Sequence, residues 1–200
     1  MQNDFYYSKQ PQSAHELRQI TFTYRNKPLT FETDSSVFSK TQLDRGTDIL
    51  LNALPEKMTG TILDMGCGWG AIGISIGSVY PDCEITMCDI NERACGLSRK
   101  NAEKNGVKAL VLVSDGWEKV KGNRYGYIVQ NPPIRVGKTI LYRMFADAAD
   151  GLEPDGEYWI VIRKQQGAPS ALTYLKTLFQ RVEVVEREAG YWIIRCMNKN

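Results

Sequence analysis

The stretch at positions 62–73 reads Ile62-Leu63-Asp64-Met65-Gly66-Cys67-Gly68-Trp69-Gly70-Ala71-Ile72-Gly73. It begins as a short apolar strand, passes through closely spaced glycines and continues into a helix. Glycine lets a backbone turn sharply and approach a ligand, and the following helix presents its amino-terminal N–H groups to that ligand. The stretch therefore predicts a strand, a ligand-binding turn and a helix, which together form the repeating unit of an α/β fold.

Strand and helix patterns alternate from position 61 onward. Strands are predicted near 61–65, 84–89, 109–113, 125–130 and 156–162, and helices near 70–79, 91–104, 138–149 and 169–179. Such alternation predicts a parallel sheet with helices on both faces. The runs at 181–186 and 191–196 predict a closing hairpin, and tight turns are expected at 147–151 and 153–156.

The residues before position 61 follow a different pattern. The first ten or so, ending near Pro11, are polar and aromatic without periodicity and predict a loose arm or lid. Runs at 20–24 and 29–33 predict a β-hairpin, and a helix is expected over 41–54. We expect one α/β domain over residues 1–200, with an arm and hairpin extension at 1–40 and the core at 41–200.

Composition excludes several chemistries. His15 is the single histidine and lies in a polar stretch, which argues against Ser-His-Asp or Cys-His hydrolysis and against most zinc sites. The five cysteines form no C-x-x-C pair, and no apolar run approaches the roughly 20 residues of a membrane-spanning helix. We expect reduced thiols, a cytoplasmic location, no metal and no membrane segment. The sequence does not indicate the oligomeric state.

A second motif, Asn131-Pro132-Pro133-Ile134, follows the apolar run at 125–129. Proline lacks an N–H and forces the preceding residue toward extended geometry, so the two prolines predict a stiff corner at the strand's end. The Asn131 side-chain oxygen and the Pro132 carbonyl can accept both hydrogens of one planar amino group, which leaves the nitrogen lone pair aimed at an electrophile. This geometry indicates amine methylation; the alternative is an ordinary turn that ends the strand.

The glycine turn alone leaves the cofactor open. Gly66, Gly68 and Ala71 also fit the dinucleotide fingerprint G-x-G-x-x-G/A, so the turn does not separate NAD from S-adenosylmethionine. Asp89 ends a strand roughly 20 residues later, where a carboxylate can bind ribose hydroxyls. Asn91 is the better candidate to cap the next helix, which leaves Asp89 free for a ligand.

The two motifs together resemble a class I S-adenosylmethionine-dependent methyltransferase. Across residues 30–196, the order and spacing most resemble the catalytic half of the small-subunit ribosomal-RNA guanine-N2 methyltransferases. The resemblance implies a Rossmann-like fold: a mostly parallel seven-stranded sheet with an antiparallel last strand, preceded by the hairpin extension. It also implies S-adenosyl-L-methionine as cofactor and RNA, most of all ribosomal RNA or an assembly intermediate, as partner.

The resemblance also implies roles for individual residues. Asn131 and Pro132 would be catalytic, and Asp64 would interact with the methionine amine, directly or through water. The other expected cofactor residues are Gly66, Gly68, Asp89, Ile90, Asp115 and Asn131, with Asp115 near the adenine. The expected substrate residues are Phe38, Pro133, Ile134, Arg135 and Lys138. The family usually has an aromatic residue where this chain has Ile134, so stacking on a base would have to come from elsewhere.

Three other functions stay open at this stage. A protein glutamine-amide methyltransferase would use the same Asn-Pro-Pro corner, and Ile134 favours it slightly. A nicotinamide oxidoreductase would use the glycine turn and Asp89, but it leaves Asp64 and the Asn-Pro-Pro motif without a role. A noncatalytic RNA-binding domain would retain the fold without binding the cofactor.

Overall fold

The computed structural model describes residues 16–34, 37, 39 and 41–198, without the side chain of Arg135. Strands β1 (Arg18–Tyr24) and β2 (Lys27–Thr33) form the amino-terminal hairpin. The other strands are β3 (Thr61–Met65), β4 (Glu84–Asp89), β5 (Ala109–Val113), β6 (Tyr125–Gln130), β7 (Leu152–Arg163), β8 (Arg181–Glu188) and β9 (Tyr191–Met197). The helices are α1 (Arg45–Ala53), α2 (Ala71–Val79), α3 (Glu92–Lys104), α4 (Lys138–Gly151) and α5 (Ala168–Leu178), with 3-10 turns at Ile134–Val136 and Lys164–Gln166.

The seven strands of the main sheet follow the order β5-β4-β3-β6-β7-β9-β8. All neighbours from β5 to β7 are parallel, whereas β9 runs antiparallel to both β7 and β8. The predicted Rossmann-like methyltransferase fold, with its antiparallel last strand and amino-terminal hairpin, is confirmed. The chain leaves β3 toward β4 and leaves β6 toward β7, in opposite directions along the sheet. A crevice is therefore expected at the carboxyl ends of β3 and β6, where the strand order reverses.

The sheet is covered on both faces because alternate residues of its strands point to opposite sides. In β3, Ile62 joins the core cluster that includes residues of the hairpin, α1, α2 and α3. Leu63 and Met65 join the cluster formed with α4 and α5. Asp64 lies on the same face as Ile62 and is completely buried. The fold thus places a carboxylate under helix α2, at the end of a central strand.

The amino-terminal hairpin is held against helix α3 by hydrogen bonds between asparagine side chains at the carboxyl end of the helix and the backbone of β2. Asn101 accepts from the Glu32 N–H at 2.7 Å and donates to the Glu32 carbonyl at 2.9 Å. Asn105 bonds the backbone of Thr30 in the same two-way fashion, at 3.0 and 2.9 Å. The two amides thus take the place of a neighbouring strand along the edge of β2, which would otherwise present unpaired backbone groups. Asn101 also donates to the Trp69 carbonyl at 2.8 Å, so the hairpin is tied to the glycine turn.

Three predicted boundaries differ from the structure. Helix α1 begins at Arg45, after the cap residue Asp44, and not at position 41. The turn expected at 147–151 is wrong, because α4 continues to Gly151. A Cβ at Gly151 would lie 1.9 Å from an indole carbon of Trp117, so this glycine permits close packing and does not mark a turn. Strand β7 begins at Leu152, and the turn-like residues 153–156 produce a shift in its register with β6.

No helix in the described part of the chain is long and apolar enough to cross a membrane. All five cysteines are unpaired and buried.

Candidate active site

A cavity of about 400 Å³ opens at the carboxyl ends of β3, β4 and β6, where the reversal of strand order predicts it. One side, the glycine wall, is formed by residues 66–68 with Asp89 and Ile90. The opposite side, the amide wall, is formed by Asp44 and Thr47 with residues 131–133. The two walls bring together the ends of three adjacent strands, β4, β3 and β6, and the start of helix α1.

The turn of the glycine wall requires glycine for conformational reasons. Gly66 has φ +75° and Gly68 has φ +56°, in the left-handed region that other residues rarely adopt. A Cβ added at either position meets nothing within 4 Å, so crowding within the chain is not the cause. The turn is held to β4 because the Gly66 and Cys67 N–H groups both donate to the Cys88 carbonyl, at 2.8 and 3.0 Å.

Asp89 is held between the glycine turn and helix α3. Its Oδ2 accepts from the Gly68 N–H and its Oδ1 from the Asn91 N–H, both at 2.9 Å. Asn91, as predicted, caps α3 by accepting from two backbone N–H groups of the first turn. Burial raises the pKa of Asp89, and the N–H groups of Asn91, Gly68 and Ile90 oppose that rise. Asp89 lines the cavity in a fixed orientation, and its role in binding ribose hydroxyls stays a prediction.

Asp64 is completely buried and does not line the cavity. Its Oδ2 accepts from the Gly73 N–H at 2.8 Å, whereas its Oδ1 has no hydrogen-bond partner. Burial raises the pKa of Asp64 to about 7; the Gly73 N–H lowers it and the charge of Asp89 raises it further. A buried carboxylate oxygen without a partner is costly, and a nearby cationic group would relieve that cost. A cationic group could satisfy this acceptor, directly or through water, and the role of Asp64 toward the cofactor stays a prediction.

The segment after β5 contributes a turn at the cavity mouth. Ser114 donates from Oγ to the Gly116 carbonyl at 2.9 Å and accepts from the Lys119 N–H at 3.0 Å. The Asp115 side chain is 60% exposed, and its Oδ1 lies 3.8 Å from a guanidinium nitrogen of Arg143. Asp115 and Ile90 both line the cavity, and their cofactor roles stay predictions.

The amide wall centres on the oriented side chain of Asn131. Its Nδ2 donates to Oδ2 of Asp44 and to Oγ1 of Thr47, each at 2.9 Å. Both donors of the amide are thereby used. The Asn131 Oδ1 and the carbonyl of the buried Pro132 accept no hydrogen bond from the described residues. These two oxygens are the acceptors that the sequence predicts, and their roles toward a substrate stay predictions.

The predicted substrate residues are only partly gathered at the cavity. Pro133 lines it, but Ile134 packs against the core cluster of α4 and α5. Lys138 is exposed, with its Nζ 5.0 Å from the centre of the Tyr142 ring. Phe38 and the side chain of Arg135 lie outside the described residues. The substrate roles of all five residues stay predictions.

Sequence reasoning missed several residues of the cavity. Ile140, Arg143 and Met144 of α4 line it, together with Val136 from the 3-10 turn. The i, i+3, i+4 spacing of the three helical residues could have indicated a common face. The stretch 44–47 resembles the segment that leads into the family's catalytic domain, but the contact of Asp44 and Thr47 with Asn131 was missed, because Asn131 lies more than 80 residues away in sequence.

Residues 28–195 match the family described as the methyltransferase small domain. The chain belongs to this family, and it is a class I S-adenosylmethionine-dependent methyltransferase. YbxB of Bacillus subtilis, described as uncharacterized, is 43% identical over 197 residues, which cover 97% of this chain and 98% of that protein. The ribosomal RNA small subunit methyltransferase C of Aeromonas hydrophila is 37% identical over 162 residues, covering 78% of this chain and 45% of the relative.

Among solved structures, T. thermophilus RsmC, a 16S rRNA N2 methyltransferase in complex with S-adenosylmethionine and guanosine, superposes with a TM-score of 0.82. Its sequence identity is 24%, and the match covers 94% of this chain and 52% of that one. A methyltransferase from Pyrococcus furiosus superposes with a TM-score of 0.64 at 19% identity, covering 75% of this chain and 80% of that one. At these identities the structural matches show the fold.

These comparisons confirm the predicted enzyme class and its cofactor, S-adenosyl-L-methionine. They overturn the nicotinamide alternative, since the glycine turn belongs to a methyltransferase domain. This chain spans just under half of the length of the small subunit methyltransferase C relative from A. hydrophila.

Proposed function

We propose that this protein methylates the exocyclic amine of a base in RNA, and that the acceptor is N2 of guanine in ribosomal RNA. The observation that carries the proposal is the amide wall. Its Asn131 side chain turns both donors toward Asp44 and Thr47, and so leaves acceptor oxygens for an incoming amino group. An exocyclic base amine has two N–H donors in one plane, which matches two acceptors at a rigid corner.

The residues of the glycine wall would hold the cofactor. Asp89 would accept from its ribose hydroxyls, Gly66 and Gly68 would allow close approach of the backbone, and Asp64 would attract its ammonium group. The bound cofactor supplies an electrophilic sulfonium methyl, whose carbon–sulfur electron pair returns to sulfur on transfer. The roles of these residues follow from their donors, acceptors and charge.

The Asn131 oxygen and the Pro132 carbonyl would act on the acceptor nitrogen. The lone pair of an aryl amine is delocalised into its ring, so the nitrogen is a weak nucleophile. Accepting hydrogen bonds from both N–H groups favours a pyramidal nitrogen and fixes its direction of attack. Such positioning can contribute about 7–11 kcal/mol at its best. The new nitrogen–carbon bond uses the nitrogen lone pair, and one proton then leaves to water.

The choice of RNA rests on the relatives. Several relatives are named ribosomal RNA small subunit methyltransferase C, and the T. thermophilus structure contains guanosine. Lys138, which is exposed and follows the Asn-Pro-Pro motif in sequence, is suited to a phosphate. We infer a cytoplasmic location, where ribosomal RNA is found, and a single domain over residues 1–200 whose hairpin shares a core cluster with α1, α2 and α3.

Glutamine-amide methylation of a protein is the second candidate. Ile134 is half-buried against the core cluster of α4 and α5, and the side chains of Val136 and Ile140 at the cavity are aliphatic. Without an aromatic ring at position 134, stacking worth about 1–3 kcal/mol per base is lost there. A smaller amide-bearing side chain would not need that stacking.

Methyl transfer from isotopically labelled S-adenosylmethionine would test the proposal. The full chain would be incubated in parallel with unmodified 16S ribosomal RNA and with small ribosomal subunits assembled from it. The RNA and the protein fractions separated from those subunits would be tested as further substrates. Digestion to nucleosides and amino acids, followed by mass spectrometry, would identify the methylated atom. We expect N2-methylguanosine, and we expect its formation to stop when S-adenosylhomocysteine is added.

Each other product has a clear meaning. N6-methyladenosine would mean that the methyl acceptor is adenine and not guanine. N5-methylglutamine in the protein fraction would favour glutamine-amide methylation. Binding of the cofactor and RNA without methylation of any substrate would overturn the proposal in favour of a noncatalytic RNA-binding role.

A further inference from the structure

We propose that Asp44 and Thr47 are positioning residues for the methyl acceptor, and that they act by fixing which end of the Asn131 amide faces the cavity. This inference rests on the proposed function. It goes further because it assigns the orientation of the acceptor corner to a helix start that lies more than 80 residues earlier in the chain.

The two ends of an asparagine amide have similar shapes but opposite hydrogen-bonding character. With Nδ2 toward the cavity, Asn131 would present donors to an amino group that also has only donors. With Oδ1 toward the cavity, it presents the acceptor that methylation requires. A rotation of the amide by 180° therefore separates a productive corner from an unproductive one.

Asp44 decides between these orientations by charge. An ionised carboxylate accepts hydrogen bonds and cannot donate them. The Asp44 carboxylate therefore attracts the Asn131 Nδ2, which lies 2.9 Å away, and would repel Oδ1 in the same place. Thr47 Oγ1, also 2.9 Å from Nδ2, takes the second donor. The amide is thus held by two acceptors on one side.

Helix α1 holds these acceptors in place. Asp44 is its cap residue, and its Oδ2 also accepts from the Thr47 N–H at 2.9 Å. Gly46 keeps the region open, since a Cβ there would lie 3.0 Å from Asp44 Oδ2 and 2.8 Å from the Tyr191 ring. Thr47 is 5% exposed, so its hydroxyl is not free to rotate toward solvent. The same interactions that start the helix thereby orient the amide.

The test compares Thr47→Val, which removes the acceptor at nearly constant volume, with Thr47→Ser, which retains it. Thr173→Val is the matched control, because Thr173 is an exposed helical threonine of α5 whose Oγ1 bonds a backbone carbonyl. Each substitution would also be made in the Asn131→Ala background. Turnover and S-adenosylhomocysteine affinity would be measured for all variants.

We expect Thr47→Val to lower kcat about 10-fold, the loss of roughly one hydrogen bond, with unchanged S-adenosylhomocysteine affinity. Thr47→Ser should restore kcat, and Thr173→Val should leave it unchanged. In the Asn131→Ala background Thr47→Val should have no further effect, since it acts through the amide. An equal loss of kcat in both backgrounds would overturn the proposal.

A second readout does not depend on activity. The side-chain NH2 signals of Asn131 in ¹H–¹⁵N NMR spectra can be assigned by their loss in Asn131→Ala. Thr47→Val should move one of these proton signals upfield and Thr47→Ser should return it. Unchanged signals in Thr47→Val would refute the proposed contact. A wild-type protein that methylates neither RNA nor protein would overturn the proposed function, while these signals would still decide the orientation of the amide.

Discussion

The two walls of the cavity are built in different ways. In the glycine wall, Gly68 and Asp89 lie 21 residues apart, and backbone N–H groups donate to the Asp89 carboxylate and to the Cys88 carbonyl. In the amide wall, Asn131 meets Asp44 and Thr47 through side-chain contacts between segments more than 80 residues apart. The glycine wall is therefore a property of one βαβ unit. The amide wall exists only after the sheet has been assembled.

The largest effect is expected from the amide wall. Asn131→Ala removes the acceptor oxygen but leaves the glycine wall intact. Turnover should fall by roughly 10²–10³-fold, the range for losing one preorganised hydrogen-bonding group at a transition state. Affinity for S-adenosylhomocysteine, measured by calorimetric titration, should stay close to that of the wild type. Normal turnover in this variant would remove the acceptor corner from the mechanism.

Asp64 should make the stability of the folded protein depend on pH. Its pKa is raised to about 7, so the stability that its protonated form contributes is complete below the unfolded pKa and is lost as pH rises through about 7. Asp64→Asn is neutral at every pH. The free energy of unfolding of the wild type, relative to this variant, should fall by about 3 kcal/mol between pH 5 and pH 8.

Urea denaturation at several pH values would measure this difference. Asp82→Asn is the control, because Asp82 is an exposed carboxylate just before β4. A parallel pH dependence in wild type and Asp64→Asn would show that burial of Asp64 does not control its ionisation.

A smaller effect is expected from Asp89→Ala. The substitution removes an acceptor that the structure holds at the cavity, so S-adenosylhomocysteine should bind about 10- to 100-fold more weakly, as for a lost hydrogen bond to a charged group. Because the amide wall is separate, kcat at saturating cofactor should change much less than affinity. Unchanged affinity in the calorimeter would exclude Asp89 from the cofactor site.

The smallest effect is expected from Gly68→Ala. A left-handed residue costs about 1–2 kcal/mol once it carries a Cβ, which lowers Tm by several degrees in a chain of this size. Gly96→Ala is the matched control, since Gly96 lies in helix α3 without a positive φ and with no atom within 4 Å of an added Cβ. That variant should be stabilised slightly. Equal Tm values for the two variants would contradict the conformational role of Gly68.

The fold could be predicted well because its signals are local. The alternation of apolar runs located every strand of the main sheet, and the capping residue Asn91 was correctly separated from Asp89. The predicted boundaries of helices and strands were wrong where tertiary packing outweighed the local preference of the sequence. Gly151 continues a helix because Trp117 covers it, and the residues 153–156 are accommodated within a strand as a change of register.

The candidate site could be predicted only in part. The glycine turn and Asp89 could be predicted because their residues lie close together in sequence. Asn131 could be predicted because two prolines follow it directly. Ile134 occupies the motif position where the resemblance implies an aromatic residue, and in the structure it is half-buried against the core cluster of α4 and α5. Val136 and Ile140 face the cavity instead, because the 3-10 turn and the start of α4 redirect the chain after Pro133.

The sequence by itself determined the α/β fold and the cofactor turn, together with the presence of an amide at the end of β6, because each depends on residues close together in the chain. The tertiary structure decided which way that amide faces. The choice rests on a carboxylate and a hydroxyl at the start of α1, and only the packed sheet brings them within 2.9 Å of Asn131. Hydrogen bonds act over about 3 Å, so a partner so distant in sequence can be known only from the fold.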